Sequence, residues 1–205
     1  MKNAVYLLFP YPLMVCGESY AFSDAESAFM DGLAMSSNIG NARSTDDRVL
    51  DRAELSGVRQ LIERELNLYT KNLLQFRDDN EIYITQSWVN RSAPGEFHPR
   101  HKHPNSIVSG VLFLDDNADA DLPPIQFHRT SPIFPLDLGF ESLNESNATG
   151  REFDPEPGML MLFPSLLEHE VGRNDSTRIR KSLSFNTFVR GRLGGRDALT
   201  EVDLD

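Results

Sequence analysis

The chain has 205 residues, a length that allows one well-packed domain. Its formal net charge of −11 disfavours nucleic acid as a partner, because binding to a phosphate backbone needs excess Lys and Arg. Its one cysteine, Cys16, excludes an internal disulfide and fits a reducing compartment, so we expect a cytoplasmic protein. No apolar run is long enough to cross a bilayer. We expect a single domain over residues 1–205, with a strand and supporting helices in 1–80, a β core in 81–190 and a C-terminal tail in 191–205.

The N-terminal part of the chain is predicted to begin with a strand and a helix. The apolar run of residues 4–9 predicts the strand. Ser23, followed three residues later by Glu26, forms a capping-box pattern and predicts a helix that runs to about Met35. The polar residues 36–47 are predicted to be a loop.

A second helix is predicted over residues 55–73, where apolar residues recur at steps of three and four. Charged residues such as Arg59 and Glu63 occupy its other faces. We expect a scaffold helix that lies on a sheet and has no catalytic role. The apolar positions are Leu55, Val58, Ile62, Leu66, Tyr69 and Leu73.

From residue 81 onward the chain consists of short apolar or alternating runs separated by Pro, Gly, Asn and Asp. This pattern predicts many short strands, and therefore a sandwich or barrel with the helices packed outside it. The predicted strands are residues 82–91, 97–101, 107–114, 125–128, 159–163, 169–171 and 180–189.

Two segments between these strands are predicted to be irregular. Residues 115–121 space acidic side chains like a calcium-binding loop, but they lack the Gly and Glu that such a loop needs, so we expect a solvated turn. Residues 140–157 are polar, and the sequence leaves open whether they form a lid over a site or padding between strands.

Three histidines are the best candidates for metal ligands. His101 and His103 lie at positions i and i+2 of an extended segment, so their side chains share one face and can reach a single point. His169 follows in a later predicted strand. Imidazole is a common ligand of transition metals, and the set therefore predicts a metal site. His98 is a weaker alternative for one of the three positions, since Pro99 follows it directly.

Polar side chains alternate along the last predicted strand. Arginine pairs with a carboxylate through two parallel hydrogen bonds, so Arg180 is the candidate anion anchor and Arg178 the reserve choice. On an earlier strand Gln86, Trp88 and Asn90 share a face and would line the same cavity, although core packing explains Trp88 equally well. A polar row opposite an apolar one is expected where a strand borders a wet cavity. The row consists of Arg180, Ser182, Ser184 and Asn186, opposite Leu183 and Phe185.

The order of a histidine pair, a distal histidine and an arginine with a serine two residues later resembles that of the double-stranded β-helix dioxygenases that use Fe(II) and 2-oxoglutarate. In that superfamily, His-x-Asp/Glu, a distal His and Arg-x-Ser follow one another. More narrowly, the chain is similar to a subfamily of 2-oxoglutarate/Fe(II) oxygenase-like proteins common in phages and marine bacteria. The matching stretches are residues 5–10 (VYLLFP), 103–106 (HPNS), 109–114 (SGVLFL), 162–165 (LFPS), His169 and 182–186 (SLSFN).

This resemblance implies a mainly β fold, a double-stranded β-helix or jelly roll with N-terminal helices packed on one sheet. It implies Fe(II) bound by His101, His103 and His169, and 2-oxoglutarate anchored by Arg180 and Ser182, with O2 as the second co-substrate. The implied activity is a hydroxylation of an unidentified small-molecule or protein substrate, with release of succinate and CO2.

The chain departs from the superfamily pattern at one ligand, because His103 stands where a carboxylate is usual; the narrower subfamily usually has His-x-His-Pro. Three histidines leave the same open positions on a metal but change the charge of the site by one unit, and they also suit Zn(II), Cu(II) or Ni(II). Two other functions therefore stay open. One is a cupin-like three-histidine dioxygenase that needs no keto acid, and the other is a non-catalytic jelly-roll binding or structural protein.

Overall fold

Two antiparallel sheets and two α-helices are formed by the residues that the computed structural model describes, which are 4–114, 121–132, 134–136 and 138–204. In the large sheet the strands run in the order β1-β9-β6-β11-β4-β3-β2, with β12 paired to β11. They are β1 (Met14–Val15), β2 (Met35–Ser37), β3 (Ala42–Ser44), β4 (Asn80–Ser92), β6 (Val108–Phe113), β9 (Leu160–Pro164), β11 (Arg180–Leu193) and β12 (Val202–Leu204).

The small sheet has the order β5-β10-β7-β8, and its apolar residues pack against the inner side of the large sheet. Its strands are β5 (His98–His101), β7 (Ile125–His128), β8 (Gly150–Phe153) and β10 (His169–Val171). This arrangement is a jelly roll with helices on one sheet, so the predicted mainly β fold is confirmed.

Both predicted helices are present, with shorter bounds. In α1 (Asp24–Asp31) the Ser23 and Glu26 side chains form the reciprocal capping box that the sequence predicts. The helix ends at Asp31 because Gly32 caps it and the chain then enters β2, so the predicted end near Met35 is wrong. The helix α2 (Ser56–Asn67) follows two short 3-10 turns, and a π-helical segment (Leu68–Leu73) continues it.

The central strands β6 and β9 of the large sheet are buried on both faces, and this explains their uninterrupted apolar runs. The outer face of the large sheet packs against α2 through residues such as Leu183 and Phe185. Its inner face contributes Phe113 and Met161 to a second cluster, which lies between the two sheets. Every residue of β6 is buried, as expected for a central strand between two layers.

Several segments differ from their predictions. Residues 4–9 are not a strand: they pair with no strand in the part of the chain that the structure describes, and their apolar side chains are exposed. Residues 36–47 are not simply a loop, because β2 and β3 form a hairpin that extends the large sheet at β4. The predicted tail 191–205 contains the end of β11 and all of β12. The strands β2, β3 and β12 have three residues each, so none is long enough to show an alternation of apolar and polar residues.

The two irregular segments have different outcomes. Residues 140–157 contain the strand β8, which pairs with β7 and completes the small sheet. Of the predicted solvated turn, residues 115–120 lie outside the described residues. None of the helices described combines the length and hydrophobicity needed to cross a bilayer.

Candidate metal centre

Two paired strands of the small sheet, β5 and β10, and the segment that follows β5 bring His101, His103 and His169 together. His101 ends β5 and His169 begins β10, and the register of this strand pair sets them directly opposite each other. Their ring centroids are 4.3 Å apart. His103 follows two residues after the end of β5, with its ring 4.9 Å from His101 and 5.2 Å from His169. One ring nitrogen from each of the three lies within 4.8 Å of the others, close enough for a single cation.

Backbone carbonyls orient two of these rings. His101 Nδ1 lies 2.7 Å from the Pro99 carbonyl oxygen, and His169 Nδ1 lies 2.9 Å from that of Leu167. A carbonyl oxygen only accepts hydrogen bonds, so each Nδ1 carries the proton and each Nε2 keeps its lone pair. Such a second hydrogen bond is what usually fixes the tautomer of a metal-binding histidine.

Burial keeps the three imidazoles neutral. It lowers the pKa of His169 to about 3 and that of His103 to about 4, and neighbouring histidines add to both effects. The pKa of His101 is also lowered, again mainly by burial. Neutral imidazole is the form that binds a metal, so near pH 7 all three can act as ligands without first losing a proton.

The ring of Trp88 forms a wall beside His103. Their centroids are 6.0 Å apart, and Trp88 Nε1 donates to Asn90 Oδ1 at 3.1 Å. Asn90 Nδ2 in turn donates to Ser184 Oγ at 3.0 Å. Trp88 and Asn90 therefore line the cavity, as one interpretation of the sequence expected, whereas Gln86 is exposed and does not.

Arg180 and Ser182 line the same cavity as the histidines, and both are buried. Arg180 is only 4% exposed. Its Nε donates to the Pro123 carbonyl oxygen at 3.0 Å, and its guanidinium lies 5.2 Å from the centre of the Phe113 ring. A buried cation in the cavity is suited to bind a carboxylate. Arg178 is half-buried and is not among the residues that line this cavity.

His98 lies beside the three histidines but outside the group whose nitrogens converge. Its ring stacks on that of His101 at 4.3 Å, with 16° between the ring planes. Burial lowers its pKa to about 3, with His101 as the next cause. His98 is therefore uncharged near pH 7, and its ring lines the cavity beside the three candidate ligands.

Sequence reasoning missed Asn41, which also lines this cavity. It lies at the tip of the β2–β3 hairpin, in the segment predicted to be a loop, and is 4% exposed. A lone polar residue in a polar stretch has no sequence signal that separates it from its solvated neighbours.

One family model matches the part of the chain that contains the three histidines. Residues 86–186 match a family model described as "Putative 2OG-Fe(II) oxygenase". The match includes the three histidines, Arg180 and Ser182. The chain belongs to the 2OG-Fe(II) oxygenase family. No curated protein matches it.

Solved structures share the oxygenase fold at low sequence identity. A 2OG-Fe(II) oxygenase family oxidoreductase from Burkholderia pseudomallei is 15% identical with a TM-score of 0.60, over 86% of this chain and 84% of its own. HygX from Streptomyces hygroscopicus, with nickel and 2-oxoglutarate bound, is 11% identical with a TM-score of 0.58, over 86% and 82%. A prolyl hydroxylase from Trichoplax adhaerens is 14% identical with a TM-score of 0.56, over 86% and 83%. At these identities the likeness shows the fold.

Proposed function

We propose that the protein is a 2-oxoglutarate-dependent oxygenase in which His101, His103 and His169 hold Fe(II). The observation that carries this is one cavity lined both by three converging neutral imidazoles and by a buried arginine. A metal site alone would suit many functions. A buried cation beside it is what a chelating keto acid with a second carboxylate requires.

The donor set fits this metal. Three nitrogen ligands on one face leave three positions open, as the facial triad of non-heme iron oxygenases does. His101, His103 and His169 would hold the metal and would leave room at the site for a chelating keto acid and O2. When bound, Fe(II) with 2-oxoglutarate and O2 supplies an oxidant able to attack an unactivated C–H bond, with succinate and CO2 as co-products.

The chain's own residues anchor the co-substrate and exclude water. Arg180 binds the distal carboxylate of 2-oxoglutarate through paired hydrogen bonds, and the Ser182 hydroxyl adds a further one. The buried side chains of Phe113 and Phe163 lie between the two sheets and keep this side of the cavity dry, which strengthens the charge interaction. The reaction outcome that we favour is hydroxylation of a small molecule or protein side chain.

The decisive experiment is an anaerobic titration of the protein with Fe(II) and 2-oxoglutarate, followed by the visible charge-transfer absorption of the chelate. The band should appear only when both are present. It should be absent in His169→Ala, which lacks a ligand, and in protein loaded with Zn(II). Failure of the wild-type protein to give the band with both added would contradict the proposal.

His103 supports a second candidate function, a three-histidine dioxygenase without a keto acid, because neutral imidazole replaces the carboxylate usual in 2-oxoglutarate oxygenases. Oxygen uptake that continues with 2-oxoglutarate rigorously absent would favour it. A non-catalytic role would instead be supported by isolating the protein with no metal, or with zinc that Fe(II) does not displace.

A further inference from the structure

A buried amide at the tip of the β2–β3 hairpin has a hydrogen-bond donor without a partner. Asn41 Oδ1 accepts from Asn38 Nδ2 at 3.0 Å, which orients the amide. Asn41 Nδ2 is buried and has no hydrogen-bond partner among the residues described. An unsatisfied buried donor costs about 1–3 kcal/mol of folding free energy. A bound ligand that accepts a hydrogen bond from this donor would remove that cost. The cavity that Asn41 lines is where such a ligand would bind.

Strand register places Asn41 at one end of the cavity. Ala42 pairs with Arg91, so Asn41, one residue earlier, comes opposite Ser92. Ser92 in turn pairs with Arg180. Asn41, directly before β3, thus continues the row that Ser92 on β4 and Arg180 on β11 form, and all three line the cavity. Two strand spacings, or about 10 Å, separate the backbones of Asn41 and Arg180.

The Arg180 guanidinium turns away from Asn41. It lies against Phe113 on β6 and donates to Pro123, and β6 is on the opposite side of β11 from β4. Asn41 is held instead against the start of β5, because the Phe97 amide donates to the Gly40 carbonyl oxygen at 2.9 Å. The cavity thus has an Arg180 pole, toward β6, and an Asn41 pole, formed by Asn41, Ser92 and His98.

We infer that the Asn41 pole binds the molecule to be oxidised, and that Asn41 Nδ2 donates a hydrogen bond to a carbonyl oxygen of that molecule. This rests on the proposed function, in which the Arg180 pole takes the co-substrate. The Asn41 pole contributes no lysine or arginine of its own. Arg180, whose charge also acts on His98, is paired with the co-substrate in the proposed function, so a neutral acceptor suits the pole better than a second carboxylate. An amide or peptide carbonyl is the substrate class that this chemistry recognises.

The experiment observes the Asn41 amide directly. In 15N-labelled, Zn(II)-loaded protein, which is diamagnetic, the side-chain amide signal of Asn41 is identified by its loss in Asn41→Asp. 2-Oxoglutarate is added first, and N-methylacetamide, a neutral peptide-carbonyl probe, is added second. Asn90 is the internal control, because it lines the same cavity but both ends of its amide are already hydrogen-bonded.

We expect N-methylacetamide to move the Asn41 amide protons downfield in a saturable way and to leave Asn90 in place. Trp88 is the single tryptophan of the chain and lines the cavity, so its fluorescence can follow the probe in variants. Probe affinity should fall about tenfold in Asn41→Ala, since one hydrogen bond is lost, while the affinity of this variant for 2-oxoglutarate stays unchanged. Asn41→Asp should lose at least as much probe affinity, because a carboxylate also repels the carbonyl oxygen.

Three results would overturn this inference. One is an Asn41 signal that the probe does not move, and another is equal movement of Asn90, which would mean non-specific binding. The third is a shift of Asn41 with 2-oxoglutarate alone, which would assign Asn41 to the co-substrate. A wrong proposed function would give a different result. In that case 2-oxoglutarate would leave Trp88 fluorescence unchanged, whether or not N-methylacetamide shifts the Asn41 signal.

Discussion

Replacing Arg180 by Ala is the most direct test of the co-substrate anchor. Arg180 is 4% exposed, so it belongs with buried charges rather than with surface ion pairs, which contribute about 1 kcal/mol or less. Removing one partner of a buried, hydrogen-bonded charge pair costs about 2–5 kcal/mol. Since about 1.4 kcal/mol is a factor of ten, affinity for 2-oxoglutarate should fall between about 30-fold and about 4,000-fold.

The assay is the anaerobic titration of Fe(II)-loaded protein with 2-oxoglutarate, together with a measurement of bound metal. Metal content should be nearly intact, because Arg180 is not among the converging nitrogen ligands. Arg178→Ala is the matched control: it removes the same side chain two residues earlier, outside the residues that line the cavity, and should change the affinity by less than about fivefold.

Arg180→Lys is a second variant that tests the same role if Arg180→Ala does not fold. It keeps the positive charge but not the planar fork, so it should bind 2-oxoglutarate with an affinity between those of the wild type and Arg180→Ala. Unchanged affinity in a folded Arg180→Ala, or an equal loss in Arg178→Ala, would remove Arg180 from the proposed role.

Three further predictions concern the metal and the fold. His103→Asp adds a carboxylate to the face and should strengthen Mn(II) binding relative to Zn(II), because Mn(II) prefers oxygen ligands; competition titrations measure this. Gly158→Ala should cost more than about 2 kcal/mol of unfolding free energy, since φ is +72° and the new Cβ would lie 2.1 Å from the Tyr20 carbonyl oxygen; urea denaturation measures it. Metal-free protein should lose stability as pH falls from about 6.5 toward 4. Burial lowers the pKa of His98 and His169 from 6.5 to about 3 in the folded protein, so in this pH range the unfolded chain binds more protons than the folded one.

Each of these has a result that would contradict it. An unchanged Mn(II)-to-Zn(II) ratio in His103→Asp would place His103 away from the metal. Gly172→Ala is the control for the glycine prediction, as nothing lies within 4 Å of its added Cβ, and equal losses in both variants would refute the steric argument. A urea midpoint of the metal-free protein that stays constant between pH 7 and pH 5 would mean that the histidines are solvated.

Much of the fold was predictable because local physics determines it. Ser23 and Glu26 lie three residues apart, and the capping box that they form needs no tertiary contact. The apolar period of α2 and the runs of the central strands follow from burial on one or both faces. The short outlying strands β2, β3, β8 and β12 were missed or predicted as loops, because their pairing depends on a neighbour that is already in place.

The sequence by itself determined the candidate ligand types and their order: a histidine pair, a distal histidine and an arginine on an alternating strand, which are local patterns of spacing and side-chain chemistry. Only the tertiary structure decided that His101 lies opposite His169, that Arg180 turns toward β6, and that Asn41 lines the same cavity. Strand register and burial set these relations between residues far apart in the chain, and no local sequence pattern encodes such distances.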